Sequence, residues 1–380
     1  MPTIRVGCAL SDANRADRPT GLRIPERLAE YARRFQTRTH SEDFLFELQP
    51  EEHWTTPISF PDQFAERETN RWWHNFRQDK RLRALFKSQH ALVGVHQPIQ
   101  SCDALSSNFF QKYQALEETK QAMSFAQYIG ADYFIFHLAT VDRWEWDRRD
   151  QINKALKIFK ALAAFYHASD CTFIPCIETL EFPKFPSTGG EVLALLARCR
   201  QILPETKLAF DVSHLWGSRQ RMIAAKMWYE EGGPRVSFID ALDYALSQSA
   251  EDVHVFHLGG CWESETHAVP GLHPQQDPIR FRMKLNERAR VYAEAGEIDL
   301  NRVLDLLLNY SVRRGRDLRL VLEIFDRDFE QSLKASTEIV QELNLRAEQK
   351  PSVPPQAVEE PRKIRRSIST RKRKSKSKKK

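Results

Sequence analysis

The chain has 380 residues, 41% of them hydrophobic and 28% charged, with a formal net charge of +6. This composition excludes a fibrous or wholly disordered protein, and the length suits one large domain with insertions as well as two ordinary ones. No apolar stretch approaches the roughly 20 residues of a membrane span, so no membrane role is expected.

In chain order, Met1-Pro2-Thr3-Ile4-Arg5-Val6 leads straight into a first strand over 4–10. It lacks the charged start, apolar middle and small-residue cleavage site of a secretory signal. An intracellular, cytoplasmic protein is expected. A second strand is predicted over 44–48, followed by a long connection at 50–90 that contains Trp54, Trp72, Trp73 and Phe76. The third strand, 91–96, ends on His96. Helical sequence from Leu116 to Ile129 stops at Gly130-Ala131-Asp132 and leads into a strand over 132–137 that ends on His137. A helix from Arg149 to His167 precedes a strand over 172–178 ending on Glu178, and a helix from Gly190 to Ile202 precedes a strand over 207–211 ending on Asp211.

A second long connection, 215–250, carries Trp216, Met222 and Trp228 and includes a helix from Phe238 to Ser247. The seventh strand, 253–257, ends on His257, and a third connection runs over 258–298. Asp299 is placed to cap a helix from Leu300 to Arg313, and the last strand, 318–323, ends on Glu323. The three connections are read as insertions; their aromatics serve either as lids over a ligand or as packing against the body of the protein.

Short apolar strands alternating with helices imply parallel pairing through right-handed crossovers, and eight strands make an α/β (β/α)8 TIM barrel. The barrel is expected over residues 1–345, with long loop insertions. Residues 346–380 form a Pro-containing linker and a Lys/Arg-rich tail, disordered because so polar a segment cannot bury enough apolar area to fold. Residues 362–380 hold twelve Lys or Arg and no acid, which leaves 45 of the chain's 57 basic side chains against 51 acids, a mildly acidic body at −6. Such a cationic arm attracts polyanions by counterion release, so DNA or another nucleic acid is its expected partner; nuclear targeting and membrane-surface attraction are alternatives. The six cysteines, Cys8, Cys102, Cys171, Cys176, Cys199 and Cys261, contain no Cys-x-x-Cys pair and are expected to be free, buried thiols.

Acids and imidazoles recur where apolar runs end. Active sites of (β/α)8 barrels lie at the carboxyl ends of the strands, and His, Asp and Glu converging there are what a divalent metal needs. Singly, each has a structural reading as a core histidine or a capping acid, and His254 and His267 are expected to be structural or exposed. Jointly, buried charge without a partner is costly enough to favour a metal. His96, His137, Glu178, Asp211, His214, His257 and Glu323 are therefore the candidate ligands, with His273 as a loop candidate.

These residues sit in motifs that resemble the xylose isomerase-like TIM barrels, a superfamily that includes endonuclease IV and many sugar isomerases and epimerases. Val95-His96-Gln97-Pro98, Phe136-His137-Leu138 and Ile177-Glu178-Thr179 are similar to its third-, fourth- and fifth-strand segments. Phe210-Asp211-Val212-Ser213-His214 is similar to its Asp-x-x-His motif, the most specific piece. His257-Leu258-Gly259, Gly296-Glu297-Ile298-Asp299 and Leu322-Glu323 complete the match.

For the nuclease branch the resemblance implies three zinc ions, held by His96, His137, Glu178, Asp211, His214, His257, His273 and Glu323. For the isomerase branch it implies one ion, manganese or magnesium, on Glu178, Asp211, His257 and Glu323, with Glu178 and Glu323 as the catalytic proton-transfer pair. The chain departs from the nuclease pattern where a loop Asp-x-His aligns on Gly271-Leu272-His273, since Gly271 has no side chain to ligate; Asp277 or His267 could replace it only in a differently folded loop.

The first expectation is thus a zinc-dependent phosphodiester hydrolase acting on DNA, including abasic sites. The alternative is a metal-dependent sugar or sugar-phosphate isomerase or epimerase with a small sugar substrate, and a third reading is a non-catalytic scaffold that binds nucleic acid.

Overall fold

The computed structural model describes residues 3–11, 24–41, 43–49, 80–88, 91–98, 104–105, 109–138, 148–182, 184–224, 236–259, 298–324 and 330–349. Eight strands, β1 (Ile4–Ser11), β2 (Phe44–Gln49), β3 (Leu92–His96), β4 (Tyr133–Phe136), β5 (Ile174–Glu178), β6 (Lys207–Asp211), β7 (Val253–Leu258) and β8 (Leu318–Leu322), form a closed barrel. Each pairs in parallel with its neighbours in sequence, and β1 closes the ring against β8. The expected (β/α)8 architecture is present, with strand positions shifted by one or two residues at the ends.

Around the barrel run α1 (Ile24–Thr39), α2 (Lys80–Ser88), α3 (Phe109–Ile129), α4 (Arg148–Ala168), α5 (Gly189–Cys199), α6 (Val212–Ala224), α7 (Phe238–Ser249), α8 (Leu300–Arg314) and α9 (Glu330–Gln349). Local chemistry explains their ends. Thr188, Ser237 and Asp299 accept hydrogen bonds from the backbone N–H three residues on and so cap α5, α7 and α8. Gly130 and Gly315, at φ 76° and 58°, terminate α3 and α8 in the left-handed conformation that only glycine adopts without strain.

One expectation needs correcting. The connection read as an insertion from 215 instead begins as α6, directly after Asp211. Val212, Leu215, Trp216 and Met222 fall on one face of that helix and are buried, so Trp216 and Met222 are core residues and not a lid. The helices α1, α2 and α9 were also not anticipated. Trp54, Trp72, Trp73, Phe76, Trp228, His267, Gly271, His273, Asp277 and the 350–380 tail lie outside the described residues.

The strands are buried on both faces, as a barrel wrapped in helices requires. Outward side chains such as Val6, Phe46, Val95, Phe134, Phe210 and Leu320 join the main core beneath the helices. Inward ones form a separate small cluster of Ala9, Leu45, Tyr133, Ile135, Cys176, Ala209, Val255 and Val321. Strand side chains alternate with period two. The inward residue two positions beyond Ile135, Cys176, Ala209, Val255 and Val321 is His137, Glu178, Asp211, His257 and Glu323, respectively. Beyond Gly94 it is His96. The pleat alone therefore directs six polar groups into one layer at the carboxyl end. Among the described residues no helix is long and apolar enough to cross a membrane.

Candidate metal centre

Glu178, at the end of β5, is the hub of this layer. Its Oε2 faces His96 Nε2 at 3.0 Å and contacts His137 Nε2, while its Oε1 lies 3.1 Å from His257 Nδ1. The His96 and His137 rings meet edge to face with their Nε2 atoms 3.0 Å apart. On the other side, His257 Nδ1 is also approached by Glu323 Oε1 at 3.5 Å and Asp211 Oδ2 at 3.9 Å. Three donor triads result: His96–His137–Glu178, Glu178–Asp211–His257 and Glu47–His257–Glu323, every member buried.

The surroundings fit a cation. His96 Nδ1 lies 2.6 Å from the Gln97 carbonyl oxygen, which can only accept; Nδ1 therefore carries the ring proton, and Nε2 faces the site. His137 Nδ1 and Glu47 Oε1 are buried polar atoms without a hydrogen-bond partner among the described residues. Asp211 divides its carboxylate: Oδ1 accepts the His214 backbone N–H at 2.7 Å, capping α6, and Oδ2 faces His257.

Electrostatics express the same crowding. Burial opposes ionisation of Glu178, but His137 and His257 outweigh it and hold the carboxyl well below the usual range. Burial likewise opposes protonation of His96, yet Glu178, with Glu47 and Glu323, lifts it to about 9. His137 goes the other way, to about 4, because burial and the charge of His96 prevail over Glu178. His257 is raised by Glu47, Glu178 and Glu323 against its burial. Protons and a metal ion are alternative counter-charges for such a set of acids.

Of the candidates from sequence, His96, His137, Glu178, Asp211, His257 and Glu323 are brought together. His214, buried on the first turn of α6, has Nδ1 2.9 Å from the Thr179 carbonyl oxygen, 3.3 Å from Asp211 Oδ2 and 3.5 Å from Glu178 Oε1; it touches the hub carboxylate but belongs to none of the three triads. Sequence reasoning missed Glu47, fully buried on β2 and 3.0 Å from His257 Nε2. It also missed Gln49, whose Nε2 donates to Glu323 at 3.1 Å. Their signal was the alternation Leu45, Glu47, Gln49 along one strand face; a search confined to the last residue of each apolar run passes over an acid within it.

No family model matches the chain, and no curated protein does. Solved structures do. The chain is similar to a D-tagatose 3-epimerase-like protein, with TM-score 0.54 and 13% identity over 90% of this chain and 99% of that one. L-ribulose 3-epimerase gives TM-score 0.52 and 13% identity, covering 91% and 100%. The IOLI protein, whose structure holds a zinc atom, gives TM-score 0.50 and 12% identity, covering 90% and 97%. At these identities the likeness shows the fold alone, an eight-stranded parallel (β/α)8 barrel.

Proposed function

We propose that the barrel is a divalent-metal-dependent isomerase or epimerase of a sugar or sugar phosphate. One observation carries this reading: three carboxylates, Glu178, Asp211 and Glu323, converge on Nδ1 of a single imidazole, His257, at 3.1, 3.9 and 3.5 Å. Three acids and one nitrogen, all buried, are a donor set for zinc, manganese or magnesium. The bound ion would polarise adjacent substrate oxygens as a Lewis acid. Glu178, kept ionised, is the base that takes a carbon-bound proton, and Glu323, directly after β8 and three strands away, is the acid that returns one. The likeness to proteins named as sugar epimerases supports the sugar reading.

A second reading has its own observation. The His96–His137–Glu178 triad shares Glu178 with the first donor set, each carboxylate oxygen serving one side. Together the two sets would hold two cations, which would supply the chemistry of two-metal phosphodiester hydrolysis; DNA would then be the substrate and the 362–380 tail an added contact.

Elemental analysis of the purified protein, paired with two assays, decides between them. One ion per chain, with solvent deuterium entering a ketose or aldose from a substrate panel, is expected for the isomerase. Two or more zinc ions with incision of an abasic duplex, and no exchange into any sugar, would overturn it in favour of the hydrolase. A chain that binds no divalent ion defeats both.

A further inference from the structure

Beneath the donor set lies a buried polar arrangement that the reaction itself does not use. Glu47 Oε2 is 3.0 Å from His257 Nε2 and 3.1 Å from the Tyr133 hydroxyl. Tyr133 stands on β4, two strands from β2, and can reach Glu47 because the strand between them offers Gly94. A Cβ at position 94 would stand 2.1 Å from Tyr133 Cζ and 2.4 Å from its oxygen. Gly94 pairs in register with both Glu47 and Tyr133, so the ring lies over the one backbone position that leaves room for it. A carboxylate buried at this depth is costly unless its bonds return something, and an apolar side chain would fill the space more cheaply.

His257 has one nitrogen on each side of this boundary. Three carboxylates surround Nδ1, whereas Glu47 is the acid at Nε2. We infer that Glu47 is a positioning residue of the metal centre: it accepts the Nε2 proton of His257, so that the Nδ1 lone pair is left to the cation, and Tyr133, laid across Gly94, holds the carboxylate in place. This inference rests on the metal reading above but not on which reaction follows. The proximity of Glu47, His257 and Glu323 would also permit an ion among them. A neutral imidazole, however, has one proton and one lone pair, and the larger negative field is at Nδ1.

The test compares zinc affinity, by competition with a chromophoric chelator, in the wild type, Glu47→Leu, Glu47→Gln and Tyr133→Phe. Circular dichroism reports folding, and imidazole ¹⁵N spectra of the zinc-loaded proteins report the His257 tautomer. Expected are a loss of about 10–100-fold for Glu47→Leu, a smaller loss for Glu47→Gln, which keeps a carbonyl acceptor, and a measurable loss for Tyr133→Phe. Zinc stoichiometry should be unchanged, and His257 in the wild type should be protonated at Nε2. If Glu47→Leu does not fold, Glu47→Gln and Tyr133→Phe carry the comparison, and wild-type affinity in both overturns the inference. So does wild-type affinity in a folded Glu47→Leu. Loss of one whole ion per chain would make Glu47 a ligand and overturn it too, and a wild type that binds no zinc would instead defeat the metal reading on which the inference stands.

Discussion

His254 and His257 both turn inside the barrel although they are three residues apart on one strand. A regular strand would send them to opposite faces. The pairing of β7 with β6 shifts between Leu208 and Ala209, which face Val253 and Val255, and His254 is the extra residue of that bulge. Its ring packs edge-on to Tyr133 at 5.5 Å and accepts from Arg319 Nη1. His254, expected to be structural or exposed, is structural.

That placement has a pH consequence. Burial, then the charges of Arg319 and Lys207, depress His254 from 6.5 to about 3. The unfolded chain therefore binds a proton that the folded chain refuses, and the stabilisation is complete above pH 6.5 and lost as pH falls toward 3. The slope attributable to one proton is at most about 1.4 kcal/mol per pH unit. Urea unfolding of wild type and His254→Gln between pH 6.5 and 4 should show a shallower loss of stability in the variant; parallel curves would refute the assignment.

Glu178 serves two triads, so its loss should be felt in both. Metal content measured by mass spectrometry should fall further in Glu178→Gln than in Asp211→Asn, which touches one triad. A Glu178→Gln protein that retains the full complement of metal would show that the carboxylate is not the shared ligand.

Gly94 and Gly7 are both sites where a methyl group has no room, but they differ in what stands in the way. A Cβ on Gly7 would meet the Leu45 backbone oxygen at 1.7 Å, whereas one on Gly94 meets the Tyr133 ring. Overpacking of this kind costs about 1–3 kcal/mol or more. Gly94→Ala should lower the melting temperature and be partly rescued by Tyr133→Leu. Gly7→Ala should be destabilising with no rescue by any side-chain truncation at Leu45, because backbone cannot be trimmed. Additive losses in the Gly94→Ala/Tyr133→Leu pair would contradict the contact.

Cys8, Cys171, Cys176 and Cys199 are buried. Burial raises Cys171 to about 11 and Cys199 to about 12, and Cys176 further still. Since the thiolate is the reactive form, titration with a disulfide reagent at pH 8 should detect no more than two fast thiols per native chain and six after denaturation. A third fast thiol would mean that one of the four is accessible.

The sequence by itself determined the number and order of the strands and the polar residues at their ends that are the candidate ligands. Both follow from local physics: apolar runs bounded by Gly130 or Asp299, and a side-chain period of two that sends Glu178 and Asp211 to the same side as Cys176 and Ala209. The helix at 212–224 was obscured because Asp211 acts at once as site residue and helix cap, so that no loop separates strand from helix. What tertiary structure alone decided is which polar groups meet. Glu47, Gly94 and Tyr133 belong to three strands and become one device only through register across the closed barrel. His254 turns inward only because its strand bulges. Pairing between strands is set by contacts distant along the chain, and local patterning does not record them.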